Sequence, residues 1–371
     1  MNRNGEERFM RVALALGERG LGTTWPNPSV GCVLVREGRI IGRGWTQPGG
    51  RPHAEMEALA RAGAAARGST AYVTLEPCAN PGHTPPCCRA LAEAGVARVV
   101  AACIDPDPRV NGKGLAHLRS AGVDVQLGLL AREARRQHLG LYRRILEGRP
   151  MFALKLALSL DGRIATACGH SHWVSGERAR MEAHRLRAQH DAILIGSGTA
   201  LADDPELTCR LPGLFWASPV RILLDRRLRL PPQSKLALGA REVPLWLFTA
   251  PDPDPERCRQ LEACGVEVIP TPEPFLDSVA RRLGERGITR VLVEGGGGVA
   301  GALLRRGLVD RLHLVYAPIW LGGDARPAVG PLGLARVDEA RRWRTVERLE
   351  MGEDLLITLE PEDEARCSPG S

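Results

Sequence analysis

Apolar and polar residues alternate along this chain with two different periods. Compact apolar runs at 29–35, 39–45, 71–75, 98–103 and 123–127 read as strands. Between them, apolar residues recur every three or four positions over 5–19, 54–67, 87–94, 113–121 and 129–146, which is the helical period. This alternation predicts a three-layer α/β/α domain over residues 1–147. The segment EGRP at 147–150 ends the last helix and marks a boundary. A second alternating series then begins. Strands are expected at 151–159, 191–196, 220–225, 244–249, 265–269, 289–294, 311–318 and 354–359, and helices at 176–189, 255–263, 275–286 and 299–306. These predict a second α/β domain over 151–360. The tail 361–371, PEDEARCSPGS, is polar and contains Pro and Gly, so it is expected to be disordered.

A length of 371 residues suits two domains, and 44% hydrophobic with 25% charged residues suits globular cores. No apolar run reaches the eighteen or so residues of a membrane span. The N-terminal MNRNGEERFMRVALALGERG reads as an amphipathic helix, because Glu6 and Glu7 interrupt the pattern of a signal peptide. A cytoplasmic protein is therefore expected, with no membrane partner. The ten cysteines are thinly spread in a chain without a secretion signal, which points to reduced thiols. The formal charge of +7 comes from scattered arginines with no basic block, so no nucleic-acid partner is expected. Lys113, Lys155 and Lys235 are the chain's lysines. Where Arg is the default cation, a Lys marks places that need a compact ammonium.

The densest chemistry lies in RPHAEMEALARAG and, further on, TLEPCANPGHTPPCC. Catalytic zinc takes three protein ligands and leaves a fourth position open. His53, Cys78 and Cys87 supply that number. His53 stands where a loop enters a helix, with Glu55 two residues on. Cys78 follows Pro77 at a strand end, and Cys87 starts a helix, where the helix dipole favours a thiolate. Taken singly, a histidine or a cysteine is more often structural or buried. His83 and Cys88 are rival ligands. Cys87 is preferred to Cys88 because a neighbouring position points away from the metal. His-x-Glu followed by Pro-Cys and a second Cys is the zinc-deaminase pattern, in which the Glu moves protons and does not bind the metal.

The spacing of EPCANPGHTPPC resembles the bifunctional riboflavin-biosynthesis deaminase/reductase family. PNPSVGCVLV (26–35), DPDPRVNGKGL (105–115), KLALSLDGRIA (155–165) and TALADDPELTCR (199–210) resemble it too, so the likeness covers nearly the whole chain. The resemblance implies an N-terminal cytidine-deaminase-like domain and a C-terminal dihydrofolate-reductase-like domain. It implies zinc-dependent deamination of 2,5-diamino-6-ribosylaminopyrimidinone 5′-phosphate, followed by NADPH-dependent reduction of the ribosyl group to ribityl. Glu55 becomes the proton carrier, Asn27 a contact to the base, and Asp105 and Lys113 contacts at the ribose phosphate end. Thr46, Glu57 and Asp107 depart from the family's usual His, Asn or His, and Asn.

In the second half, VLVEGGGGVAGALL (291–304) reads as strand, glycine loop and helix. Its G-x-G-x-x-G lacks the acidic residue of a Rossmann site, but a glycine loop at a helix start suits phosphate. The resemblance assigns NADPH to Trp173, Thr199, Asp203 and the run Gly296, Gly297, Gly298, Val299, Ala300, Gly301 and Ala302. It assigns substrate to Ser171, Arg187, Leu207, Arg210 and Glu294, with both arginines as phosphate clamps. Lys155 sits inside an apolar strand, a costly place for an amine without a site role, and is taken as a substrate contact. Asp161 is read as a turn residue. A nucleic-acid deaminase would need a basic, aromatic-bearing face, which 4% aromatic residues do not favour. A closed structural zinc site would have no use for Glu55. The expected partner is a small phosphorylated pyrimidine, and the sequence leaves a homo-oligomer open.

Overall fold

The computed structural model describes residues 3–80 and 85–362. The chain forms two compact units, Met1–Pro150 together with Gly284–Thr289, and Met151–Leu283 together with Arg290–Ser371. The stretch Gly284–Thr289 is not separable from its neighbours in the sequence.

The first unit begins with α1 (Arg3–Glu18) and a hairpin of β1 (Gly31–Arg36) and β2 (Arg39–Trp45). Glu37 and Gly38, both at positive φ, make the two-residue turn that suits the twist of paired strands. Then come α2 (Ala54–Ala62), β3 (Thr70–Val73), α3 (Cys87–Glu93), β4 (Arg98–Ala101), α4 (Lys113–Ser120), β5 (Asp124–Leu127), α5 (Ala131–Gln137) and α6 (Leu139–Glu147). The sheet order is β2-β1-β3-β4-β5, with β3, β4 and β5 parallel. Helices α2, α3 and α4 neighbour one another in series, while α1 packs with α5, as a three-layer arrangement requires. The expected single helix over 129–146 is two helices, broken at His138 (φ −91°, ψ 9°). The break lets the buried His138 ring reach the Thr74 hydroxyl (3.1 Å), which also accepts from the Gly31 N–H. α6 ends at Gly148 in the left-handed region, the usual glycine stop.

The second unit runs β6 (Met151–Leu158), β7 (Arg163–Ala165), α7 (Glu177–Ala188), β8 (Ala192–Gly196), α8 (Ser197–Asp203), β9 (Val220–Leu224), α9 (Lys235–Leu238), β10 (Leu245–Thr249), α10 (Pro255–Ala263) and β11 (Glu267–Pro270). It continues with α11 (Phe275–Glu285), β12 (Arg290–Glu294), α12 (Gly297–Arg305), β13 (Val309–Tyr316), β14 (Arg326–Pro327), β15 (Trp343–Met351) and β16 (Asp354–Pro361). The main sheet has the order β11-β10-β9-β8-β12-β6-β13-β16-β15. Its strands are parallel from β11 to β13, and β16 and β15 close the edge antiparallel. Parallel strands covered on both faces explain near-continuous apolar runs such as VRILL and AILIG, every residue of which is buried.

Three elements of size escape the periodicity. β15 is mostly exposed and rich in charge, so it has no apolar face to read. α8 is one seven-residue segment following β8 without a break, and α9 has four residues. The tail expectation falls almost wholly outside the described residues, since β16 extends to Pro361 and the description ends at Glu362.

Packing in the first unit relies on glycine at one close approach. A Cβ on Gly31 would lie 1.8 Å from the Ala13 carbonyl oxygen of α1. Gly31→Ala must push α1 off the sheet, and overpacking of this kind costs about 1–3 kcal/mol. Urea unfolding should show a lowered midpoint, and an unchanged midpoint would contradict this contact.

Candidate functional site

His53 occupies the N-cap of α2 in extended geometry, so its ring projects from the helix entrance. Cys78 lies in the loop after β3, and Cys87 is the first residue of α3. Three segments distant in sequence thus converge. His53 Nδ1 is 3.3 Å from Cys87 Sγ and 3.6 Å from Cys78 Sγ. The Cys87 backbone N–H donates to Cys78 Sγ at 3.3 Å. Among the described residues these three form a group whose ligand atoms all lie within 4.8 Å of one another. Cys88 turns into the hydrophobic core, and its thiol is pushed up to about 11 by burial. The other rival, His83, lies outside the described residues.

The electrostatics of the cluster fit a cation. Cys78 is pulled down to about 4, first by the Cys87 thiol hydrogen-bonded to it and then by His53, against the opposing effect of burial. Cys87 moves the other way, because it donates to Cys78 and is buried. Two thiolates side by side would repel, so the two sulfurs are driven in opposite directions. A divalent ion removes that conflict, and one imidazole with two sulfurs is a donor set that suits zinc. Glu55 is buried beside the group and raised to about 7, chiefly by burial and then by the charge of Cys78.

The other residues expected in this half take varied positions. The Asn27 amide nitrogen lies only 2.0 Å from where a Cβ on Gly50 would be, so Gly50 leaves room for it. Asp105 is buried, accepts from the Asp107 N–H (2.8 Å), and is raised to about 6 by burial. Lys113 is exposed at the start of α4 and donates to the Pro108 carbonyl (3.2 Å). Of the departing positions, Thr46 is buried and accepts from the Val30 N–H (3.0 Å). Asp107 is gripped by the Arg109 guanidinium, which holds its carboxyl below the usual range. Glu57 pairs with Arg61 along α2.

In the second unit, a cavity of about 670 Å³ opens at the carboxyl ends of the parallel strands. Lys155, Ser171, Trp173, Arg187 and Thr199 line it, as do Asp203, Leu207, Arg210, Glu294 and Gly296 to Gly298. Lys155 and Glu294 are paired across β6 and β12. Burial alone would raise Glu294, but Arg187 and Lys155 outweigh it and hold the carboxyl at about 2. Burial likewise lowers Lys155, and Glu294 offsets part of the effect. Arg187, expected from the sequence to clamp the substrate phosphate, lines this cavity. Its fork meets the buried Glu294 carboxylate, with Nε–Oε1 at 2.7 Å and Nη2–Oε2 at 2.8 Å. The Arg210 guanidinium remains exposed, with a long contact to Glu206 (3.4 Å).

The glycine run divides. Gly298 borders both this cavity and a second one of about 480 Å³, and Val299 and Ala302 line only the second. Ala300 and Gly301 face the interior instead, and Ala300 is fully buried. Asp161 does more than turn the chain: its carboxylate accepts from the Leu321 and Gly322 N–H groups (3.2 and 2.8 Å). Two features escaped the sequence reading. His184 lines the larger cavity, and its Nδ1 accepts from the Arg210 N–H (3.2 Å). Its position three residues before Arg187 on one helix was the available signal. Arg226, Arg227 and Arg229 border the smaller cavity, and their cluster DRRLR after β9 could have been noticed.

Comparison with known proteins gives a consistent result. The family profile described as "RibD C-terminal domain" matches residues 150–357, and that of the "Cytidine and deoxycytidylate deaminase zinc-binding region" matches residues 3–103. The chain is 43% identical to the riboflavin biosynthesis protein RibD of Escherichia coli over 370 residues, covering 95% of this chain and 99% of that protein. It is 41% identical to the RibD protein of Haemophilus influenzae, over 95% and 96% of the two chains. Among solved structures, Acinetobacter baumannii RibD superposes with a TM-score of 0.87 at 35% identity, covering 97% of this chain and 99% of that one. A diaminohydroxyphosphoribosylaminopyrimidine deaminase/5-amino-6-(5-phosphoribosylamino)uracil reductase from Thermotoga maritima superposes with a TM-score of 0.85 at 33% identity, over the same shares.

The geometry of the three-residue cluster predicts a clean contrast. Cys87→Ser should lose bound zinc, whereas Cys88→Ser should keep about one zinc per chain, the content of a single three-ligand site. Metal analysis of the two purified variants decides between these ligands, and the reverse pattern would make Cys88 the ligand.

Proposed function

The chain belongs to the RibD family of riboflavin biosynthesis proteins, and we propose that it carries out two successive reactions on one phosphorylated pyrimidine. The first is hydrolytic deamination of 2,5-diamino-6-ribosylamino-4(3H)-pyrimidinone 5′-phosphate. The second is NADPH-dependent reduction of the ribosyl group of the resulting 5-amino-6-(5-phosphoribosylamino)uracil. The observation that carries this reading is the convergence of His53, Cys78 and Cys87 on one point, with Glu55 buried beside them.

His53, Cys78 and Cys87 would hold zinc, which when bound supplies a water molecule acidified towards neutral pH. Glu55 carries protons. Its carboxyl is buried beside the three ligands, and burial raises it above the usual carboxylate range. It takes a proton from the attacking water, passes it to the ring nitrogen, and serves the departing ammonia. The Asn27 amide offers a donor and an acceptor to the pyrimidinone edge. Asp105 and Lys113 serve the ribose phosphate end.

In the second unit Gly296 to Gly298, Trp173, Thr199 and Asp203 would hold NADPH, which when bound would supply the hydride for reduction of the ribosyl C1′. Gly296 to Gly298, at the entry to α12, let the cofactor's phosphates approach the backbone. Trp173, Thr199 and Asp203 border the same space. The arginines of the smaller cavity suit the phosphates at the adenosine end. Ser171, Leu207, Lys155 and Glu294 meet the sugar and base, and Arg210 meets the substrate phosphate. The protein acts on a small molecule, and no helix among the described residues is long and apolar enough to cross a membrane. We place the activity in the cytoplasm, consistent with reduced thiols throughout the described residues.

Glu55→Gln keeps the size of the side chain but cannot carry a proton. It should retain zinc and lose ammonia release by roughly two to four orders of magnitude, while NADPH oxidation on the deaminated substrate persists. Near-normal ammonia release would remove Glu55 from the mechanism.

Arg210→Lys should raise the KM for the phosphorylated substrate of reduction and leave NADPH affinity unchanged, because an ammonium cannot reproduce two parallel hydrogen bonds. Arg210→Ala should be worse. Titration with substrate and with NADPH separates the two, and a selective loss of NADPH binding would move Arg210 to the cofactor side.

A further inference from the structure

Glu76, two residues before Cys78, has no role in the reading above. Its side chain is buried, with 3% of the residue exposed. It accepts four backbone N–H groups. Oε1 takes those of Gly114 (2.9 Å) and Leu115 (3.2 Å), and Oε2 takes those of Gly112 (2.9 Å) and Asp105 (3.3 Å). Each oxygen thus holds two donors. The donors belong to the loop after β4 and to the first turn of α4, where unpaired N–H groups and the helix dipole favour a negative charge. The backbone of Glu76 is tied to the same strand end, since its N–H donates to the Cys103 carbonyl (2.9 Å).

The contact is close on its other side as well. A Cβ on Gly114 would lie 2.0 Å from the Pro77 carbonyl oxygen and 3.2 Å from Glu76 Oε1. The two sequence motifs TLEPC and DPDPRVNGKGL therefore meet as one body, with Glu76 as the clamp and Gly114 as the space that admits it. One end of this body carries Cys78, and the other carries Asp105 and Lys113. The clamp takes up the N–H groups of Gly112, Gly114 and Leu115 at the start of α4 and leaves the Lys113 side chain exposed.

We propose that Glu76 is a positioning residue of the deaminase site, setting where Asp105 and Lys113 stand relative to the metal ligands. This rests on the deaminase reading above. Four well-directed hydrogen bonds to one charged group fix a loop far more tightly than a neutral contact would. Displacing positioning groups by about an ångström can cost a hundredfold in rate or binding. The role therefore shows in substrate recognition, and the metal stays in place because none of the four hydrogen bonds to the carboxylate involves His53, Cys78 or Cys87.

Glu76→Gln tests this on the full zinc-loaded chain. The amide keeps the shape but turns one acceptor into a donor, so two of the four N–H groups lose their partner. The KM of the diamino substrate for ammonia release should rise roughly ten- to a hundredfold. Zinc content should stay at the wild-type value, and NADPH oxidation on the deaminated substrate should be unaltered. Glu76→Asp, which keeps the charge but falls short by one methylene, should give an intermediate KM. Gly114→Ala, which pushes α4 away from Pro77, should raise KM in the same direction. An unaltered KM in Glu76→Gln, with or without lowered thermal stability, overturns the proposal, and so does loss of zinc in proportion to lost activity. Wild-type chain that releases no ammonia would instead defeat the deaminase reading itself.

Discussion

A charge withdrawn from water has to be matched inside the protein, and both sites of this chain are built around that requirement. In the first unit, two thiols and an imidazole meet within hydrogen-bond reach, which lowers Cys78 and raises Cys87. Only a cation lets both sulfurs ionise. Glu55 shares the same surroundings, and burial holds it near neutrality in its titration. In the second unit, the matched set is internal: Glu294 lies between Arg187 and Lys155, and the pair with Arg187 is bidentate. One site thus calls for an ion from outside, and the other supplies its own counter-charges.

The same architectural device places both sets. Parallel strands end together, and the chain leaves them for helix starts that carry unpaired N–H groups. Cys78 and Asp105 follow neighbouring strands β3 and β4, while Glu294 ends β12 and Thr199 follows β8. What differs is how the helix starts are used. α3 offers its first residue as a ligand, α4 is closed by the Glu76 carboxylate, and α12 begins in glycines that leave its entrance open. The backbone N–H groups at the second are taken, whereas the glycines of the third border a cavity.

The positions that depart from the family pattern are absorbed locally. Thr46 satisfies the backbone at Val30, and Asp107 caps its own loop through Arg109 and the Arg109 N–H. Glu57 is turned along α2 towards Arg61. None of these three joins the metal group.

Fold class, domain order, most strands and the identity of the zinc cluster were legible in the sequence, because each is written locally. Strand and helix periods differ, glycine and proline punctuate them, and His53, Glu55, Cys78 and Cys87 each stand beside a helix entry or a proline. β15 was not legible, since an exposed, charged edge strand has no apolar face. The division of the glycine run was not legible either. Whether Gly298 faces a cavity and Ala300 the sheet depends on the rotation of α12 against its neighbours. The same holds for Arg187, whose partner Glu294 stands 107 residues away. For Glu76 the motif was visible but its four donors were not, because they come from a loop that reaches it only when β4 lies beside β3. Local chemistry is set by neighbours along the chain, whereas the pairing of buried charges is set by which strands share a sheet, and that only the tertiary structure decides.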